Sequence, residues 1–208
     1  MSYYVTFIGA PGSGKGTQSN LLANHLFISK LGLGDILRSE INAKSDLGKK
    51  ALPFLSKGDL IPDYLAFELF EKSVSESMKK IGFISDGFPR NFNQAKMFDS
   101  FLNSLPLTTI IFYINVPEDI LLNRLIIRGR EDDKIDIIKN RNKVYNNSVK
   151  EILDYFGNRI ININGQKSEK EVFDEKFNIS LIFETSINFL SVLSIKSKFG
   201  CVLFETSL

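Results

Sequence analysis

The sequence has few of the residues that carry redox, metal or nucleophilic chemistry. Its 208 residues include a single cysteine, Cys201, a single histidine, His25, and no tryptophan. One cysteine excludes an intrachain disulfide and a cysteine-based zinc site, and it fits a reducing compartment. His25 lies at the end of the first helical pattern, where we expect it to stabilise the terminal carbonyl groups. Covalent catalysis by cysteine or histidine is therefore not expected.

Strong charge imbalance and long apolar runs are also absent. The formal net charge is only +2, so there is no bulk electrostatic reason to bind nucleic acid or a membrane surface. No apolar run approaches the roughly 20 residues of a membrane-spanning helix, and the N-terminus has no signal-peptide pattern. The apolar fraction of 43% is enough for the packed core of one domain. We expect a cytoplasmic protein without a nucleic-acid partner or a membrane span.

Residues 9–18 have the pattern of a phosphate-binding loop. They follow the apolar, strand-like run 3–8 and precede the helix-like run 19–26, which is the context that such a loop needs. Glycines leave backbone N–H groups free to surround an anion, and the helix N-terminus adds its positive dipole end. Lys15 supplies a positive charge for the outer phosphates. The segment therefore predicts a nucleoside triphosphate site.

Two details of this loop bear on the assignment. The general pattern has serine or threonine directly after the lysine, but this chain has Gly16 there and Thr17 one place later. A dinucleotide-binding fingerprint is the competing interpretation, because Gly12 and Gly14 fit it and Asp35 lies about where its ribose-binding carboxylate belongs. However, the third glycine position of that fingerprint holds Thr17. We favour the triphosphate loop; the other alternative, a glycine turn without a ligand, gives the lysine no role.

Strand and helix patterns alternate along the chain. Strand patterns cover residues 3–8, 82–85, 108–115 and 159–163, and we assign residues 31–34 to a short break. Helical patterns cover residues 19–26, 35–41, 47–57, 62–80, 91–102, 116–129, 132–156 and a last segment from Ser168, and Pro53 is expected to kink or split one of them. The alternation predicts an α/β protein with a five-stranded parallel sheet covered by helices on both faces, the P-loop NTPase fold.

Five arginines lie in positions that suit phosphate binding. Arg90 follows a strand, at the edge where open parallel sheets bind ligands, and Arg124 and Arg128 are four residues apart on one helical face. Arg130 and Arg141 follow. The planar guanidinium donates two parallel hydrogen bonds and stays charged, which suits the neutralisation that phosphoryl transfer requires.

Asp86 ends a short apolar strand, at a position where a carboxylate can associate with magnesium. Magnesium is usually held by one or two carboxylates, by waters and by substrate phosphates. The structural alternative is a cap for the turn that follows. We predict Mg2+ held by Asp86 through water, and no zinc.

Taken together, these motifs resemble the adenylate kinase family of nucleoside monophosphate kinases, over roughly residues 3–184. The resemblance is carried by residues 9–18, by Gly34-Asp35-x-x-Arg38, by Asp86-Gly87-Phe88-Pro89-Arg90 with Gln94-Ala95, by the ordered series Arg124, Arg128, Arg130-x-Asp132-Asp133 and Arg141, and by Asn164-Gly165-x-Lys167. The family's reaction is the transfer of a phosphoryl group from ATP to a nucleoside monophosphate, giving two diphosphates. The resemblance thus implies ATP and AMP as substrates, with Mg2+.

The resemblance also implies a role for each motif residue. ATP would be bound by Gly12, Ser13, Gly14, Lys15, Gly16, Thr17, Arg128 and Lys167. The monophosphate acceptor would be bound by Leu33, Arg38, Asp59, Leu60, Ile61, Gly87, Phe88, Pro89, Arg90, Gln94, Arg130 and Arg141. The catalytic charges would come from Lys15, Arg90, Arg124, Arg128, Arg130 and Arg141. A general base is not needed, because the acceptor phosphate oxygen is already ionised at neutral pH.

The chain departs from the family pattern in three places. Gly32-Leu33 replaces the usual Ser-Thr before Gly34, so a threonine contact to the acceptor base is lost. Only Gly129 separates Arg128 from Arg130, which leaves a vestigial lid over about residues 128–131. An apolar extension, residues 185–208, follows the expected end of the last helix.

These departures shape the functional hypotheses. We expect a kinase domain over residues 1–184, with a monophosphate-binding insertion at about residues 32–61. The first hypothesis is an AMP kinase. Leu33 leaves a pyrimidine (UMP/CMP) monophosphate kinase as an alternative, and the short lid leaves a weakly active nucleotide-binding protein as another. A monomer is expected, with self-association through the extension as the alternative.

Overall fold

The parallel sheet is built from five short strands, with an all-parallel register. The computed structural model describes residues 2–77, 82–130 and 132–177, so the apolar extension at 185–208 lies outside the described residues. The strands are β1 (Ser2–Gly9), β2 (Ser29–Gly32), β3 (Gly82–Asp86), β4 (Leu107–Asn115) and β5 (Ile160–Asn164). They lie in the order β2-β3-β1-β4-β5, with β1 paired in parallel to both β3 and β4. The expected five-stranded parallel sheet is confirmed.

β2 was not predicted from the sequence, and its last two residues overlap the segment 31–34 that is predicted as a break. Its four residues, Ser29, Lys30, Leu31 and Gly32, include one large apolar side chain, and all four are partly exposed. The strand is at the edge of the sheet and pairs only with β3, with Lys30 opposite Ile84. A strand this short and polar has no alternating or continuous apolar pattern to reveal it. Its place depends on pairing with β3, which is a tertiary effect.

The helices follow the predicted order with small shifts at their ends. They are α1 (Lys15–Leu26), α2 (Leu33–Asn42), α3 (Asp46–Leu55), α4 (Asp63–Ser77), α5 (Phe92–Asn103), α6 (Glu118–Arg128), α7 (Ile135–Phe156) and α8 (Glu169–Phe177). The expected split at Pro53 is not seen, because α3 runs through this residue and ends two residues later. Near the end of a helix a proline interrupts little of the hydrogen-bond ladder.

Two apolar cores lie on opposite faces of the sheet, and the alternation along β1 separates them. Tyr4 and Ile8 belong to the core packed under α2, α4, α5 and α7. Val5 and Phe7 belong to the core packed under α1, α6 and α8. Successive side chains of a strand point to opposite faces, so β1 is buried on both. Helical cover on both faces is thereby confirmed.

A small set of hydroxyl groups interrupts the first core. The Tyr4 hydroxyl is hydrogen-bonded to that of Ser85, and Ser85 donates to Thr6 at 3.0 Å. The Thr6 hydroxyl also donates to the main-chain oxygen of Phe88, at 2.9 Å. All of these side chains are buried. The loop after β3 is therefore held by hydrogen bonds from inside the sheet.

Capping residues fix the N-termini of two helices, α5 and α8. Asn91 caps α5, where its side chain accepts from the Gln94 N–H at 2.8 Å. At α8, Ser168 and Glu171 form the expected capping box, in which the Ser168 N–H donates to the Glu171 carboxylate at 3.0 Å.

Among residues 2–77, 82–130 and 132–177, no helix has both the length and the apolar character to cross a bilayer.

Candidate active site

A cavity of about 740 Å³ opens at the carboxyl ends of the strands. The phosphate loop after β1, the end of β3 and the loop after β5 all face it, as expected for ligands of open parallel sheets. Its lining includes the loop residues Gly12, Ser13, Gly14, Lys15, Gly16 and Thr17, the cations Lys30, Arg38, Arg90, Arg124, Arg128, Arg130, Arg141 and Lys167, and the carboxylates Asp35 and Asp86. The cavity is thus strongly cationic.

The phosphate loop owes its shape to glycines with restricted surroundings. Gly12 and Gly14 have φ values of 83° and 94°, which side chains rarely allow, and Gly14 directly precedes α1. A Cβ on Gly16 would lie 3.2 Å from an Asp86 carboxylate oxygen. A side chain at this position would therefore crowd the Asp86 carboxylate. The first N–H groups of α1 and its dipole face the cavity.

Lys15 lies against its own loop. Its ammonium donates to the main-chain oxygens of Gly9 and Ala10, at 2.6 and 2.7 Å. Burial within the site lowers the pKa of Lys15 to about 8, and the positive charges of Arg90, Arg128 and Arg141 add to the shift, whereas Asp86 opposes it. A cation in this environment gains from the approach of phosphate.

The arginines at the end of α6, in the turn that follows it and on α7 lie beside two adjacent carboxylates. Arg128 donates through Nε to Asp133 at 2.8 Å, and the Arg130 N–H donates to the same carboxylate at 3.1 Å. Burial opposes ionisation of Asp133, but these hydrogen bonds outweigh it and hold the pKa of the carboxyl below its usual value. Arg141 is hydrogen-bonded to Asp132. The turn between α6 and α7 therefore places Asp132 and Asp133 against arginines that line the cavity.

The acceptor side of the cavity has a similar pairing. Arg38, on α2, is hydrogen-bonded to Asp35 and lies 3.6 Å from a carboxylate oxygen of Asp132. Asp132 thus joins Arg38 to Arg141, which come from helices far apart in sequence. Arg90 is oriented by its Nε–H, which donates to the Gly87 main-chain oxygen at 2.6 Å.

Arg124 faces the cavity but is engaged by the loop after β5. Its guanidinium donates to the main-chain oxygen of Gly165 at 2.8 Å and to those of Gln166 and Lys167 at 3.4 Å. These contacts hold the loop that borders the donor end of the cavity. Lys167 pairs with Glu175 at 2.7 Å.

Some residues expected at the acceptor site lie behind the cavity surface. Leu60, Gly87, Pro89 and Arg90 line the cavity, whereas Leu33, Asp59, Ile61, Phe88 and Gln94 are not part of its lining. Leu33, Ile61 and Phe88 are buried in the first core. Gln94 is buried, and its side chain accepts from the Arg90 N–H at 2.8 Å and donates to Asp63 at 2.9 Å. This amide supports the loop that carries Arg90.

Lys30 lines the cavity, although no sequence motif singles it out. It lies on β2, directly before the segment 31–34 that is predicted as a break. Asp132 and Asp133 were within a recognised motif but had no assigned role. Their pairing with arginines depends on the turn between α6 and α7, which no local pattern specifies.

Asp86 has surroundings that suit magnesium held mainly by water and phosphate. Its carboxylate is at the end of β3, with 18% of the side chain exposed, and the Thr17 hydroxyl side chain lines the same cavity. Within the described ranges there is no group of three or more histidine, cysteine or acidic side chains able to hold a metal. One carboxylate beside a phosphate site fits Mg2+, which keeps several of its waters.

The fold and the cavity are those of a P-loop protein that binds nucleotide phosphates. Residues 7–161 match the adenylate kinase family model. The chain is 36% identical over 172 residues to adenylate kinase 1 of a Nostoc species, covering 81% of this chain and 94% of that protein.

Two further relatives give the same result. The adenylate kinase of a Prochlorococcus marinus strain is 38% identical over 160 residues, covering 76% of this chain and 86% of the relative. That of Nocardia farcinica is 34% identical over 170 residues, with 81% and 93% covered. The chain belongs to the adenylate kinase family, and it is a nucleoside monophosphate kinase.

Proposed function

We propose that this protein catalyses the reversible transfer of the γ-phosphoryl group of ATP to AMP, giving two molecules of ADP. The observation that carries the proposal is the convergence of the phosphate loop with guanidinium groups from α2, from the loop after β3 and from α6 and α7 on one cavity. Family membership and relatives named adenylate kinase support the same reaction.

The donor phosphates bind at the phosphate loop. Backbone N–H groups from Gly12 to Thr17 surround them, and the start of α1 directs its positive dipole at them. Lys15 leaves its main-chain partners to contact the outer phosphates, since a phosphate oxygen is a stronger acceptor for an ammonium than a neutral carbonyl. Arg128 and Lys167 complete the donor side.

The acceptor phosphate binds between Arg38 and Arg90. Arg90 is already held by its bond to Gly87 and by the Gln94 contact to its N–H, so its guanidinium is presented at the cavity edge. Arg38 is shared with Asp35 and Asp132 and must turn from these carboxylates to the phosphate. The acceptor base lies toward Leu60 and Gly58, which line that end of the cavity.

The chemical step is a displacement at the γ-phosphorus. An oxygen of the acceptor phosphate forms the new P–O bond while the bond to the β-phosphate oxygen of ATP breaks, and ADP leaves with that electron pair. Lys15, Arg90, Arg128, Arg130 and Arg141 neutralise the charge that spreads over the transferring group. Mg2+, held through water by Asp86, would supply further charge neutralisation on the donor phosphates.

Base selectivity follows from the acceptor end of the cavity. Leu33 is buried in the core and presents no polar group to the cavity. The chain therefore lacks the hydrogen bond that the usual threonine makes to the acceptor base. A pyrimidine monophosphate kinase is not favoured, because the reported relatives are named adenylate kinases.

The proposed kinase is organised as one domain followed by an extension. The kinase domain spans residues 1–184, with the monophosphate-binding insertion at about 32–61 and the vestigial lid at about 128–131. The extension at 185–208 is dispensable for phosphoryl transfer, since every motif precedes it. A monomer in the cytoplasm is proposed on the sequence evidence given above.

A steady-state assay tests the function. Wild-type protein is supplied with MgATP and each of AMP, CMP, UMP and GMP, and ADP formation is followed. We expect AMP to give the highest kcat/KM and Lys15→Ala to lower kcat by about 10²- to 10³-fold. A preference for CMP or UMP would replace the AMP assignment. If ADP forms from ATP at the same rate with and without a monophosphate, the protein is not a monophosphate kinase.

A further inference from the structure

Lys30 occupies a junction that links the donor and acceptor halves of the cavity. Its side chain is only 15% exposed. The ammonium lies 3.7 Å from a carboxylate oxygen of Asp86 and 3.9 Å from one of Asp35, and it donates to the Gly16 main-chain oxygen at 3.4 Å. Gly16 and Asp86 belong to the donor side, and Asp35 belongs to the acceptor side.

No other cation in the described ranges has an ion pair with Asp86 within 4.0 Å. The carboxylate is 18% exposed and lies beside Gly16, so its charge is weakly screened by solvent. Lys30 therefore offsets part of the negative charge that Asp86 presents to a cation arriving with the nucleotide. Lys15 and Arg90, which have no ion pair with Asp86, also act on this charge. The nearest lysine of the phosphate loop, Lys15, is directed at Gly9 and Ala10.

On the acceptor side, Lys30 shares a carboxylate with a phosphate-binding arginine. Asp35 is hydrogen-bonded to Arg38 and also lies near Lys30. Without the lysine, more of the Asp35 charge would act on Arg38, beside the weaker influence of Arg130, and would hold Arg38 more firmly. Arg38 would then be less available to the acceptor phosphate.

We propose that Lys30 is a positioning residue for both substrates: it moderates the attraction of Asp86 for magnesium and it keeps Arg38 available to the acceptor phosphate. This inference rests on the proposed function. Lys30 itself contacts protein groups, so its effect is exerted through Asp86 and through Asp35.

The main test compares nucleotide binding with and without Mg2+. Calorimetry gives the Kd of ADP under both conditions for wild type, for Lys30→Met and for Lys170→Met, a surface lysine paired with Asp174 on α8. Loss of the Lys30 charge should raise the ratio of Kd without Mg2+ to Kd with Mg2+ by about three- to tenfold, whereas Lys170→Met leaves the ratio unchanged. Lys30→Arg, which keeps the charge, should stay within about twofold of wild type.

The second test uses kinetics with AMP. Lys30→Met should raise the KM for AMP by about three- to tenfold, while Lys170→Met matches wild type. A purely structural role would lower the melting temperature and change both substrates alike without altering the magnesium ratio. Should Lys30→Met fail to fold, Lys30→Gln, which also removes the charge, takes its place.

The outcomes separate this inference from the function on which it rests. Wild-type protein is first assayed with MgATP and AMP, and absence of turnover would overturn the proposed function. If wild type is active and either the magnesium ratio or the AMP KM of the uncharged variant stays within twofold of wild type, the role of Lys30 is overturned.

Discussion

The phosphate loop and the arginines around the turn between α6 and α7 would bind phosphate by different means. The loop presents main-chain N–H groups whose direction is fixed by Gly12 and Gly14, with one lysine added. The arginines present side chains, and Arg128, at the end of α6, and Arg141, on α7, are each paired with a carboxylate. The loop is thus already arranged for phosphate, whereas under the proposed function the arginines must exchange carboxylate partners for phosphate oxygens. This difference predicts different responses to mutation.

The largest effect should come from the single charge of the phosphate loop. Lys15→Ala should reduce kcat by about 10²- to 10³-fold while the KM for AMP changes little, because the ammonium acts on charge that moves during transfer. Steady-state kinetics at saturating MgATP measures both constants. Turnover within a few-fold of wild type would mean that the loop is not the catalytic phosphate site.

Arg90→Ala tests the acceptor side. Loss of a charge-assisted pair of hydrogen bonds should raise the apparent KM for AMP by about 10- to 100-fold and also slow transfer, because Arg90 positions the acceptor phosphate. Initial rates with AMP varied at fixed MgATP give the value. A change confined to the ATP constant would place Arg90 at the donor site instead.

The pH dependence of binding sharpens the description of Lys15. With a pKa of about 8, Lys15 is mostly protonated at pH 7.5 and mostly neutral at pH 9. Since only the protonated form attracts phosphate, ADP affinity should fall by roughly five- to tenfold over this range. Calorimetry on wild type and Lys15→Met provides the comparison. An equally steep profile in the variant would assign the titration to another group.

The smallest effect is expected where carboxylates compete with phosphate. Asp132→Asn removes a partner of Arg141 and Arg38, and it should lower the KM for AMP by about two- to fivefold. Asp136→Asn, an exposed carboxylate at the start of α7, serves as the matched control. A higher KM in Asp132→Asn alone would show that Asp132 orients the arginines and does not compete with substrate.

The sequence predicts the features that depend on local pattern. The phosphate loop, the strands β1, β3, β4 and β5, and the capping box at Ser168 follow from apolar periodicity, glycine placement and short-range pairing. β2 and Lys30 could not be predicted in this way, because a short polar edge strand is defined by its neighbour. The hydrogen bonds from Arg124 to the loop after β5 likewise depend on residues about 40 positions away.

The structure supports only some of the site assignments that rest on the family pattern. The motif residues from the phosphate loop and the arginine series largely converge on one cavity, but Leu33, Ile61 and Phe88 pack into the core behind it. A motif names positions without stating which side chains face the ligand. Their individual roles stay predictions until the variants are measured.

The hydroxyl group of Thr6 supports the loop that carries Arg90 from the interior of the protein. It donates to the Phe88 main-chain oxygen, two residues before Arg90. Thr6→Val would keep the shape of the side chain and remove this bond, in a place that no substrate can reach. A substitution in the core can therefore alter acceptor affinity in natural or engineered forms of this enzyme. Such a form would have no changed residue in the cavity or on the protein surface.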